Sequence, residues 1–277
     1  MEIAKEYDLY TLKDIPDDQN QVVEKEILGN IENLAEPPLK QMISGAIRNL
    51  SPEDKLSWAI FLNSFRFRHP TGVKELEDAV AKRVDEAFRD NQEELDQLRN
   101  GNAPLSWQKL FNSYRPGYLP NLHLGLMVEL IASGPLVQQL LDLHWSLHNL
   151  DSAELDLVLG DRPFVTVAPT DFLPGFSFLP IAKRRLFIVC DTSQYEAFNR
   201  ISANRLVRFV NVASVRSSVE IVCGYAQEKF IAKHLSGQIA KDTETPHLMR
   251  SPSNAARLQE AMDELDKGFG TERTLAE

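Results

Sequence analysis

The run Arg66-Phe67-Arg68-His69-Pro70 places two guanidinium groups and an imidazole where a proline stops a strongly apolar helix. Cations at a helix C-terminus stabilise its dipole by about 0.3–1 kcal/mol, which is a purely structural use. Arg68 shares its helix face with Phe61, Ser64 and Phe65, so its head group must leave the core paired with a carboxylate or an anionic ligand. Arg66 and Arg68 are therefore candidate ligand-binding residues. Gly160-Asp161-Arg162-Pro163 is a second constellation. A carboxylate held at a strand end beside a cleft suits acid–base or metal chemistry, which makes Asp161 a catalytic candidate and Arg162 a third candidate cation. The structural alternative is a turn in which Asp161 bonds the backbone and Pro163 holds Arg162 extended.

His144 and His148 have the spacing that puts two imidazoles on one helix face, but Trp145 and Leu147 alternate with polar neighbours as in a strand. Four strand residues span roughly 13 Å, too far for one ion, so no metal site is assigned. Walker A, GxGxxG, GxSxG and HExxH motifs are absent, and no cofactor is expected. Lys183-Arg184-Arg185, with Arg200, Arg205, Arg208 and Arg216, makes one region locally basic. It suits an anionic partner, or it merely balances an acidic chain.

The elements that must position these residues change period once. Up to about Leu143 the apolar spacing is helical. Val22, Val23, Ile27, Ile31 and Leu34 form one stripe, Pro37-Pro38 interrupts it, and Leu39, Met42, Ile43 and Ile47 restart it as a second helix. Ser51-Pro52-Glu53-Asp54 reads as a helix start, followed by a greasy helix to Phe67 that belongs in the middle of the fold. An amphipathic surface helix follows from about Gly72 to Arg99, then a short helix near Trp107–Tyr114 and a core helix from Pro120 that kinks at Gly134-Pro135. That apolar stretch is interrupted by His123 and Glu129 and falls short of a membrane span.

Beyond His144 the period is two. Strands are expected at Trp145–Leu147, Leu155–Leu159, Phe164–Val167, Leu186–Cys190 and Val219–Tyr225, with helices around Leu206–Ala213 and Ala226–Leu235. The expected fold is α+β: a mainly helical part, residues 1–143, packed on a small mixed sheet with flanking helices, residues 144–235. Residues 236–277 read as a polar linker and peripheral helix or tail, suited to a homodimer contact.

The chain has 277 residues, 43% of them hydrophobic and 25% charged, an ordinary soluble composition with a core large enough to need no disulfide or metal. Its net charge of −10 argues against sequence-blind attraction to nucleic acid or anionic membrane, although a local basic patch keeps nucleic acid open. Cys190 and Cys223 have no CxxC partner and read as reduced thiols. The acidic start MEIAKEYDLY lacks the features of a signal peptide, so a cytoplasmic protein is expected.

Several short pieces in order resemble an uncharacterised, mainly bacterial domain-of-unknown-function family, number four-two-three-eight in that series. They are Glu24, Asn30-Ile31-Glu32, Ser51-Pro52-Glu53 leading to Phe61 and Arg66-x-Arg68-x-Pro70, Gly160-Asp161-Arg162-Pro163-Phe164, Phe178-Leu179-Pro180-Ile181, and the unit from Asn204 to Cys223. Together they span roughly residues 5–235. The resemblance implies no activity, since none is established for the family; it marks Glu32, Arg68 and Asp161 as shared polar positions and hence as catalytic candidates. Members commonly open with a His-His-x-x-Pro stretch that this sequence does not contain, which removes the best catalytic histidines.

The expected function is a non-enzymatic binding or interaction module for a protein or an anionic ligand. The alternative is a metal-dependent phosphoester or nucleic-acid hydrolase, which needs carboxylates and a cation converging on one cleft. Glu32, Arg68 and Asp161 are expected to meet in space, with one guanidinium serving both carboxylates.

Overall fold

Ser51 begins the apolar helix of the first half as its residue types dictate. A computed structural model describes residues 9–17, 19–98, 106–170, 173–219, 222–224, 230, 231 and 234. The Ser51 hydroxyl accepts from the Asp54 amide at 3.0 Å and the Asp54 carboxylate accepts from the Ser51 amide at 3.3 Å, a reciprocal cap with Pro52 in the first turn. The chain divides into two compact units, one of residues 1–38 and 50–141, the other of residues 39–49 and 142–277.

In the first unit a π-helical segment, Val23–Leu28, runs into α1 (Gly29–Ile43). Pro37 and Pro38 lie inside α1 rather than dividing two helices as expected. Each removes only its own N–H, and Ala35 and Met42 on either side are fully buried, so burial outweighs the lost bonds. α2 is Pro52–Ser64, with Trp58, Ala59 and Leu62 fully buried, so the greasy helix is a core element; Leu56 remains exposed. It ends earlier than expected, in a turn where the Arg66 to Arg68 amides bond the Asn63 and Ser64 carbonyls. His69 does not close α2. It is extended before Pro70, and its Nδ1 accepts from the Gly72 amide at 2.9 Å to start α3 (Pro70–Asp90). The long helix expected to reach Arg99 breaks at Asn91 into α3 and α4 (Gln92–Leu98).

α5 is Trp107–Tyr114, α6 Tyr118–Ile131 and α7 Gly134–Leu141. The expected kink at Gly134-Pro135 is a full break at Ala132–Ser133. Asn63, fully buried in α2, donates to the Leu130 and Ile131 carbonyls at 2.9 Å each and so satisfies the end of α6. α3 packs on α6, and Val23, Leu28, Val73, Leu124, Met127 and Ile131 form one buried cluster of the unit.

The second unit carries a four-stranded sheet in the order β1-β5-β4-β3, where β1 is His144–Asn149, β3 Val165–Val167, β4 Phe176–Ala182 and β5 Arg185–Cys190. The expected mixed sheet is antiparallel throughout, because β4 and β5 join as a hairpin through Lys183-Arg184 and the flanking strands pair with them in the same sense. β5 is buried from Leu186 to Cys190, which explains its unbroken apolar run. α8 (Tyr195–Asn199) and α9 (Ala203–Ser217) follow; Phe198, Phe209 and Val210 pack with Phe176, Phe178 and Ile188. The strand expected at Leu155–Leu159 is mostly loop. Only β2 (Leu159–Gly160) forms, paired with β6 (Val222–Cys223) and lying on α9. Most of the helix expected at Ala226–Leu235, and the whole of the tail beyond Ser236, fall outside the described residues.

Candidate functional site

Arg68 and Glu32 come together. The Arg68 Nη1 donates to Glu32 Oε1 at 2.7 Å, and the guanidinium lies over the rings of Phe65 and Phe61, 4.4 and 5.6 Å from their centroids. The Tyr10 hydroxyl donates to the Arg68 carbonyl, and burial pushes its phenol up to about 12. The arrangement ties the N-terminal segment and α1 to the turn after α2. Arg66, two residues before it, is exposed.

Asp161 is committed within the second unit, where its carboxylate accepts from the Val219 amide at 3.0 and 3.2 Å. The corner it stands in is tight: a Cβ on Gly160 would lie 1.9 Å from Ser218 Oγ and 3.2 Å from the Ser214 carbonyl, so only glycine lets β2 approach the end of α9. Arg162 is half-buried beside it. Of the three residues expected to meet, Arg68 and Glu32 pair within the first unit, and Asp161 caps the Val219 amide within the second.

The basic region of the second unit is largely consumed by local acids. Arg184 binds Asp156 and the Leu150 and Ala153 carbonyls, and Arg185 takes Asp151 at 3.0 Å and Asn149 at 2.7 Å. Arg208 takes Glu154 at 3.3 Å and Arg200 approaches Glu196 at 3.9 Å. Arg185 and neighbouring Asn149 hold the Asp151 carboxyl below its usual range. His144 packs at a tilt against Tyr195, ring centroids 4.1 Å apart, and His148, whose imidazole burial pushes down, has Nε2 3.3 Å from Ser146 Oγ. Among the described residues no three of His, Cys, Asp and Glu are gathered to hold a metal ion.

A groove of about 1030 Å³ runs along α3 and α6 in the first unit. From α3 it is lined by Leu76, Ala79, Val80 and Val84; from α6 by Leu122, Gly125 and Leu126. The two helices run antiparallel, since Val73 shares a cluster with Ile131 while Phe88 meets Phe111, which meets Tyr118. The third wall is the segment carrying Leu12 and Ile15. Asn121 clamps it: its side chain accepts from the Lys13 amide and donates to the Lys13 carbonyl, both at 2.7 Å. Gly117, at φ 75°, is required here because a Cβ would stand 3.0 Å from the Lys13 carbonyl. Lys13 also pairs with Glu77 at 3.0 Å and, by that hydrogen bond, holds the Glu77 carboxyl below its usual range.

α6 is thus only partly the core helix expected. Its buried residues are His123, Leu124, Met127 and Ile131, while its other apolar face looks into the groove. Contrary to the expectation that this stretch falls short, Tyr118–Leu141 is, among the described residues, long and apolar enough by length and composition alone to cross a membrane, with 28% of its most apolar window buried, although the break at Ala132–Ser133 divides it into α6 and α7.

Residues 2–227 match the model of the family described as Protein of unknown function (DUF4238). The chain belongs to this family. No curated protein and no solved structure matches it. The pieces that carried the resemblance to DUF4238 have structural uses in this member. Ser51 and Pro52 start α2, Arg68 binds Glu32, Gly160 and Asp161 seat the corner on α9, and Asn204 accepts from the Glu154 amide at 2.7 Å. Sequence reasoning missed Asn63 and Asn211, both fully buried. Asn211 accepts from the Val158 amide at 3.0 Å and donates to the Asp156 carbonyl at 2.8 Å. The available signal was a lone amide within an apolar run, Val210-Asn211-Val212 or Leu62-Asn63.

Proposed function

We propose that this DUF4238 member is a non-enzymatic binding module whose helical unit holds an apolar ligand in the groove between α3 and α6. The observation that carries this reading is the pair of apolar helix faces left open. Leu76, Val80 and Val84 on α3 are only half-buried, Leu76 with one side against the buried cluster, and all three line the space opposite the second apolar face of α6. A stripe of that kind on a surface helix is ordinarily covered, and a concave apolar lining is the common form of a ligand site. The hydrolase alternative has less support, because Glu32 is occupied by Arg68 and Asp161 by the Val219 amide.

Gly125 provides the test. A Cβ there meets nothing within 4 Å, so Gly125→Phe projects a ring into the groove without a clash at its root. Phenylalanine also favours the helix over glycine by roughly 0.5 kcal/mol, so the variant should fold. A neutral solvatochromic dye such as Nile red should brighten with the wild-type chain and lose that signal with Gly125→Phe, while the melting temperature holds or rises. Equal dye binding by both proteins refutes the reading.

A further inference from the structure

We propose that the groove takes a monomeric single-chain amphiphile with one anionic head, the head at Arg115 and the chain running along α6 toward Glu129. The proposal rests on the reading of the groove as a ligand site and names the chemical class of its ligand. Three observations support it.

The first is the distribution of charge. Arg83, Arg115 and Glu129 are the charged residues of the lining. Arg115 closes α5, three residues before α6 begins at Tyr118, and Glu129 lies 11 residues beyond Tyr118 in the sequence, about 16 Å along the helix at 1.5 Å per residue. Arg83 follows Val80 on the antiparallel α3 and so lies toward the Tyr118 end. Two cations therefore flank one end of an apolar trough and a carboxylate marks the other. An anion is favoured at the first end and disfavoured at the second, which orients the ligand.

The second is the state of those cations. Arg83 is engaged with Glu86 at 3.0 Å. Arg115 has no carboxylate within ion-pair distance among the described residues, and its guanidinium lies over the Tyr118 ring, 5.6 Å from the centroid. The ring leaves the edge of the guanidinium, with its N–H donors, available to a carboxylate, sulfonate or phosphate oxygen.

The third is dimension. A trough of about 16 Å accommodates an extended chain of roughly a dozen carbons, and the volume of about 1030 Å³ exceeds what one such chain fills. The wall formed by Leu12 and Ile15 is pinned by the Asn121 clamp, so the site is built before the ligand arrives.

The experiment uses the full chain, with laurate, dodecanol and dodecylamine below their micelle concentrations displacing Nile red at low ionic strength. Laurate should displace the dye roughly three- to tenfold more tightly than dodecanol, the range for a partly exposed charge-assisted pair, with dodecylamine weakest. Affinity should rise about fourfold per added CH₂ and level off once the chain passes roughly a dozen carbons. Arg115→Glu should reverse the order and favour dodecylamine. Equal affinity for laurate and dodecanol, or an unchanged preference in Arg115→Glu, overturns the proposal while the dye result leaves the groove standing. Failure of every amphiphile and of the dye removes the groove reading and the proposal together. Binding to phosphatidylglycerol vesicles that Gly125→Phe does not weaken would point to a membrane surface and also overturn it.

Discussion

Replacing Asn211 with alanine breaks two bonds at once in a site that no water reaches from outside. The side chain is fully buried in α9; it accepts from the Val158 amide at 3.0 Å and donates to the Asp156 carbonyl at 2.8 Å, and Val158 itself is fully buried. Truncation leaves a buried amide without its acceptor, costing about 1–3 kcal/mol, removes a second bond worth about 1 kcal/mol, and leaves a small cavity. The expected loss is about 2–4 kcal/mol from the second unit. Asn211→Asp keeps the acceptor for Val158 but sets a buried carboxylate against the Asp156 carbonyl. It should be at least as damaging at neutral pH and recover in part as acid protonates it. The assay is urea unfolding combined with amide hydrogen exchange, which resolves the two units separately. Asn211→Ala should shift the second unit's transition and expose the Val158 amide to exchange more than its neighbours. A loss under about 1 kcal/mol with Val158 exchange unchanged would show that the loop before β2 is held by other means.

Gly160→Ala should destabilise the second unit by roughly 1–3 kcal/mol, because its Cβ would fall 1.9 Å from Ser218 Oγ; adding Ser218→Ala should restore part of the loss in thermal melts. Leu62→Ala, at a site with no exposure, should cost about 2–5 kcal/mol in the first unit's denaturant transition. Burial pushes both His148 and His123 below the ordinary imidazole range, so the unfolded chain binds protons more readily. Stability from these groups should be full above about pH 6.5 and fall as the pH drops from there toward the folded-state values; His148→Gln should flatten the second unit's part of that slope in melts across pH. Burial raises the Cys190 thiol to about 11 whereas Cys223 is exposed, so a thiol reagent should titrate one cysteine quickly in the native protein and both after denaturation.

What the sequence determined by itself is local. The change of period near His144 separates helices from strands because 3.6 and 2 are properties of neighbouring residues, and β1 and β5 lie where the alternation and the apolar run put them. The start of α2 was equally legible, since a capping serine, a proline and two acids act within four residues. The Arg68–Glu32 pair was half legible: the charge had to leave an apolar face, and the carboxylate that met it was one of two proposed.

Tertiary structure decided the rest, wherever a residue's partner is remote in sequence. Pro37 and Pro38 look like a helix break until buried Ala35 and Met42 hold the helix through them. Leu155–Leu159 alternates like a strand, yet the Lys183 carbonyl, which accepts from the Leu157 amide, and the Asn211 side chain satisfy its backbone from other elements and leave it a loop. Nor does the sequence show which acids the basic cluster at Lys183–Arg216 meets: Asp156, Asp151 and Glu154 fold back against Arg184, Arg185 and Arg208. The groove was invisible for the same reason. An apolar stripe looks identical whether it is covered or open, and only the antiparallel packing of α3 on α6, with the clamp at Asn121, leaves those stripes lining a space instead of filling one.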